Sequence, residues 1–99
     1  MALDDQQREI ILGHTRRLIS SRDYPKTVCP SEIARAMSAS DLSTLDALDW
    51  RATMVDIREL VWELREQGEV EVLQKGEVLD VESLSDIRGP IRVRKVQTQ

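Results

Sequence analysis

Arg51, Arg58 and Arg65 recur every seven residues within DWRATMVDIRELVWELREQ, residues 49–67, the longest periodic stretch of the chain. Seven residues is close to two helical turns, so their guanidinium groups share one stripe of a helix, with Val55 and Trp62 between them. Guanidinium groups suit phosphate oxygens and base edges. Arg51, Thr53 and Arg58 are therefore candidates for contact with a nucleic acid, through bases or phosphates in a major groove. The plainer reading is a solvated stripe whose arginines pair with Asp56, Glu59 or Glu63. Lys75, beside Gln74 in a turn, is a candidate for phosphate or minor-groove contact, or else a lysine that keeps a sheet edge soluble. Arg92 and Arg94 alternate with Ile91 and Val93, and with Arg88 and Lys95 they form a basic tail without an acid after Asp86. They would supply positive field beside the turn, or simply be the wet face of a strand.

Other reactive side chains are few. Cys29 precedes Pro30 at a helix start, where backbone N–H groups favour a thiolate, while Glu32 one turn on opposes it. An unpaired cysteine is more often a small buried hydrophobe. His14 is the one histidine and sits on an apolar helix face, without a Cys/His/Asp set at ligand spacing. No nucleophile–base pair, paired carboxylates or phosphate-cradling glycine loop appears, so no catalytic site, metal or cofactor is expected. Val55 and Trp62 have a second reading. Trp62 lies off the main apolar seam; it is either packed under the first helix or exposed with Val55 as an apolar patch flanked by arginines, which suits a protein interface or a homodimer.

Charge bounds these readings. The 99 residues carry a net charge of −4, but residues 49–86 hold eleven acidic side chains against four basic ones. That stretch opposes a phosphate backbone, because non-specific affinity comes mostly from phosphate neutralisation. Chain length fits a single domain, residues 1–99, with a frayed tail from about 95. There is no phenylalanine, so the core must be aliphatic. No apolar run reaches the ~18 residues of a membrane span. The polar N-terminus, MALDDQQRE, is not a signal peptide, and a single cysteine rules out an internal disulfide, so a cytoplasmic protein is expected.

The elements that must position these residues follow from pattern. Asp4 or Asp5 caps a helix running to about Ser20. Ser20–Lys26 is a loop, and Thr27-Val28 a short extended piece able to add an edge to a small sheet. Cys29-Pro30-Ser31-Glu32 begins a second helix, with Pro30 at the first helical position and Glu32 reaching back in a capping box. Residues 40–46 are rich in cap residues, with room for one helical turn. In the long helix, Trp50, Met54, Ile57, Val61 and Leu64 form the expected buried seam, while Ala52, Asp56, Glu59, Glu63 and Glu66 form an acidic edge. Gly68 ends it. Val70–Gln74 is a strand, Lys75-Gly76 a turn, Glu77–Val81 a return strand, and Ile91–Arg94 a third extended piece.

Three helices followed by a hairpin is the order of a winged helix-turn-helix, mostly α with a small β wing of two or three antiparallel strands. CPSEIARAM at 29–37, WRATM at 50–54, IRELVWELREQGEVEVLQKG at 57–76 and GPIRVR at 89–94 resemble a small bacterial family known only as a domain of unknown function. The resemblance covers nearly the whole chain. It implies the winged-helix fold and carries no activity to transfer. Two functions are therefore expected as alternatives. One is weak, transcription-related binding of double-stranded DNA through Arg51, Thr53, Arg58, Lys75, Arg92 and Arg94. The other is a protein-interaction or dimerisation module built on Val55 and Trp62.

Overall fold

The computed structural model describes residues 3–97. Four α-helices precede and support a three-stranded antiparallel sheet: α1 Asp5–Ser20, α2 Pro30–Arg35, α3 Ala39–Thr44, α4 Met54–Glu66, β1 Val70–Gln74, β2 Glu77–Val78 and β3 Arg92–Lys95. Short 3-10 turns occupy Trp50–Thr53 and Leu84–Asp86. No helix among the described residues is long and apolar enough to cross a membrane.

Each helix start carries its own local signal. The Asp4 side chain accepts from the Gln7 amide while Gln7 returns to the Asp4 amide, so two otherwise orphaned donors are satisfied. Glu32 likewise accepts from the Cys29 amide at 2.7 Å. Ser38 and Asp41 repeat the exchange at α3, the helical turn expected in the 40–46 connector. Asp49 caps the 3-10 turn by accepting from Ala52 N–H. At the far end of α4, Gly68 takes a φ of 78°, and the amides of Gly68 and Glu69 turn back to the carbonyls of Arg65 and Leu64.

The long helix departs from the expected seam at its start. Its buried positions are Ile57, Leu60, Val61, Trp62 and Leu64, whereas Trp50 and Met54 are only partly buried. A 3-10 turn winds at about 3.0 residues per turn instead of 3.6, so residues before Met54 are rotated out of phase with those after it. The seam is therefore a property of 57–64, with Leu60 belonging to it. Trp62, one position off the expected stripe, is buried on the side of the Leu84 turn, where it lines a cavity of about 500 Å³ with Glu59, Glu82 and Leu84.

In the sheet, β1 lies between β2 and β3. Lys75 and Gly76 both have positive φ, 54° and 83°, which gives the two-residue hairpin the local twist its strands need. The return strand is shorter than its pattern suggested. After Val78 the Leu79 amide still donates to Val72 O, but the Leu79 carbonyl accepts from Arg65 instead of continuing a ladder. On the other side, Val72 faces Val93 and Glu71 faces Arg94. Lys95 is held opposite Val70 and ends the strand at the point from which a frayed tail was expected, and residues 98–99 lie outside the described residues. Val28 exchanges both backbone hydrogen bonds with Val93, at 2.7 and 2.8 Å, which makes it the expected short edge.

The core sits between the helices and the inner face of this sheet. Ile11, Val28, Ile33, Ile57, Val61, Val72 and Val93 are fully buried, an aliphatic set drawn from every layer.

Candidate functional site

Carboxylates and arginines sort themselves into two groups. Arg8 and Arg16 on α1 reach Glu63 and Glu69, at 3.2 and 2.8 Å, and Arg94 on β3 meets Glu71 at 2.8 Å. Three carboxylates of the acidic 49–86 stretch are thus neutralised by arginines from outside it. Arg16 holds the Glu69 carboxyl below the usual carboxylate range. Arg22 pairs with Glu32 and Arg65 with Glu66. Such half-exposed pairs add little stability each, but they cancel charge locally.

The second group has no carboxylate partner within 4 Å among the described residues: Arg35, Arg51, Arg58, Lys75, Arg88 and Arg92 belong to it. Three of these line one groove of about 450 Å³, formed by Gln74, Lys75, Arg88 and Arg92 with the backbone of Gly76 and Gly89-Pro90. No acidic residue lines it. Its walls are tied together by polar contacts. Gln74 Nε2 donates to the carbonyls of Arg88 and Pro90, at 2.6 and 3.3 Å, so the hairpin holds the 88–90 segment. Arg58 Nη1 donates to Gly89 O at 3.2 Å, which places the long helix on the rim. Arg92 is steadied by Thr27, whose hydroxyl and carbonyl accept from its guanidinium at 2.8 and 3.3 Å.

The remaining pair lies at the start of the long helix. Arg35, at the end of α2, and Arg51 both stack on the Trp50 ring, their guanidinium carbons 4.8 and 4.5 Å from its centroid.

The residues singled out by sequence fare differently. Arg51, Arg58, Lys75 and Arg92 fall on these two positive features. Thr53 does not: it is 2 % exposed and its hydroxyl donates to Trp50 O, so it closes the 3-10 turn and is not presented to a ligand. Arg94 is taken up by Glu71 and by stacking on Tyr24 at 4.9 Å. Arg51 and Arg58 do not pair with Asp56, Glu59 or Glu63, contrary to the plain reading of their stripe. Val55 is 66 % exposed, but Trp62 is buried with Arg65 stacked 4.3 Å from its centroid, so the two form no common exposed patch. His14 and Cys29 do not meet. His14 Nε2 lies 2.9 Å from Asp41, with Arg17 on the other ring nitrogen, while Cys29 Sγ accepts from Ser31 Oγ. Among the described residues no group of three His, Cys, Asp or Glu side chains is placed to hold a metal ion.

Sequence reasoning missed Arg35 and the role of Trp50. A signal existed in WR at 50–51, but joining it to Arg35 required the α2–α4 packing.

These features define a small, mostly helical domain with a three-stranded antiparallel sheet and a carboxylate-free cationic groove beside its hairpin. Over residues 8–96 the chain matches the family described as Protein of unknown function (DUF3253), and it belongs to that family. No curated protein matches it.

Proposed function

We propose that this chain is a cytoplasmic winged helix-turn-helix domain, without catalytic activity, that binds double-stranded DNA through phosphate contacts. In this reading α2 and α4 are the two helices of the motif, α3 lengthens the turn between them, and the β1–β2 hairpin with the 88–90 segment is the wing. The groove carries the proposal: Lys75, Arg88 and Arg92 converge on one space that no carboxylate lines, with Arg58 at its rim. A duplex offers closely spaced anions to such a surface, and counterion release supplies the affinity. The acidic 49–86 stretch is a weaker objection than net charge alone makes it, because Glu63, Glu69 and Glu71 already have arginine partners.

A protein-interaction role would rest on exposed apolar side chains such as Val55 and the fully exposed Leu48, and not on Trp62, which is buried. Fluorescence-anisotropy titration of a labelled duplex at low salt tests the proposal. Arg88→Ala should weaken binding and Arg94→Ala, which removes a paired arginine, should not. Equal effects from both, or no binding by the wild type, would sink it.

A further inference from the structure

Trp50 is an unusual residue to leave half exposed in a chain with three aromatic side chains, and its two arginines explain what it does there. A guanidinium stacked on an indole has its face covered and its edge free. Stacking restricts the long side chain before any ligand arrives, so less conformational freedom is lost on binding. Arg35 and Arg51 come from different elements, α2 and the turn before α4, and both are exposed. Neither makes a hydrogen bond or ion pair with its guanidinium among the described residues. Five other arginines, Arg8, Arg16, Arg22, Arg65 and Arg94, are engaged by carboxylates.

Two acceptors in a nucleic acid match a free guanidinium edge: a phosphate, and the O6/N7 edge of guanine. The surroundings favour the second. Asp49 is two residues before Arg51, exposed and bound through Oδ1 to the Ala52 amide, and it keeps negative charge at this end of the helix. A phosphate brought there would meet that charge, whereas a guanine edge is neutral. The environment suited to phosphate is instead the groove beside Arg58, which no acid lines.

We infer that Arg51, held with Arg35 on the Trp50 ring, is the specificity-determining residue of the domain and reads guanine in the major groove. This rests on the duplex-binding reading above and adds to it a division of labour. The groove positions the backbone, and the stacked arginines select the base.

Selection from a randomised duplex pool tests it, using wild type, Arg51→Lys, Trp50→Leu and Lys75→Ala. The wild type should enrich guanine at one or more fixed positions, favouring it over each other base by about tenfold, the size of one good bidentate contact. Arg51→Lys keeps the charge but not the planar fork, so it should lose that enrichment while still retaining duplex. Trp50→Leu should lower it, and Lys75→Ala should leave it intact while weakening retention overall. A bound pool without a guanine position, or one whose guanine survives Arg51→Lys, overturns this inference and spares the binding reading. A wild type that retains no duplex at low salt overturns both. Because Arg51 is exposed, its lysine variant tests the inference even if Trp50→Leu fails to fold.

Discussion

Removing one groove cation should change the salt dependence of duplex binding by a definite amount. Arg58, Lys75, Arg88 and Arg92 are the four cations at or lining the groove. If each neutralises one phosphate, the slope of log affinity against log salt is about −3.6, at roughly −0.9 per contact. Between 50 and 200 mM salt that slope lowers affinity by about 150-fold. Arg88→Ala should bring the slope to about −2.7 and shrink the loss over the same range to about 40-fold. Arg94→Ala should leave it near −3.6, because Glu71 and Tyr24 already engage that side chain. Anisotropy titrations at four or so salt concentrations read the slope directly. A wild-type slope near zero would refute the reasoning, as would the same change of slope from Arg94→Ala and Arg88→Ala. Arg92 is a less clean variant than Arg88, since it also holds Thr27.

Stability measurements test the packing. Trp62→Ala should cost about 3–5 kcal/mol in urea unfolding, the usual loss for a buried tryptophan, and a cost under about 1 kcal/mol would contradict the buried placement. Sedimentation should show the wild type and this variant with the same association state, because the ring is not on a free surface. The carboxyls of Glu32, Asp41 and Glu69 are all lowered: Glu32 first by the Cys29 amide and then by Arg22, Asp41 by the Ser38 amide and then by His14, Glu69 by Arg16. Groups lowered on folding stabilise the native state fully above their unfolded values and lose that contribution as pH falls through the folded ones. Urea midpoints should therefore hold from pH 7 to about 5 and fall below about 4. Glu32→Gln, which keeps a weaker cap but cannot titrate, should flatten that acid limb.

How far the sequence reached depends on the range of the interactions involved. Helix starts at Asp4 and Cys29-Pro30 and the helix stop at Gly68 were legible because capping is local and each signal spans three or four residues. The Lys75-Gly76 turn was legible for the same reason, and so was the pairing potential of Val28. Phase was not. Nothing in WRAT announces a 3-10 turn, and that one change of winding moved Trp50 off the seam. Charge was least legible, because net charge ignores who sits next to whom. Eleven acids in 49–86 argued against phosphate, but Arg8, Arg16 and Arg94 come from distant parts of the chain to meet three of them. Thr53 and Arg94 illustrate the converse: a polar or cationic side chain with the right spacing was already committed to its own fold.

The strand that completes the groove also closes the chain. Val28 and Val93 exchange two backbone bonds, and Arg92 grips Thr27 across a sequence separation of 65 residues. Closing so long a loop is entropically slow, whereas α1, α2 and the Lys75-Gly76 hairpin form from near neighbours. The domain should accordingly acquire its cationic surface late in folding, when β3 docks and carries Arg92 against Thr27. Any ligand of that surface then acts as a latch on the last strand, and slower amide exchange at Val93 on ligand addition is its expected signature.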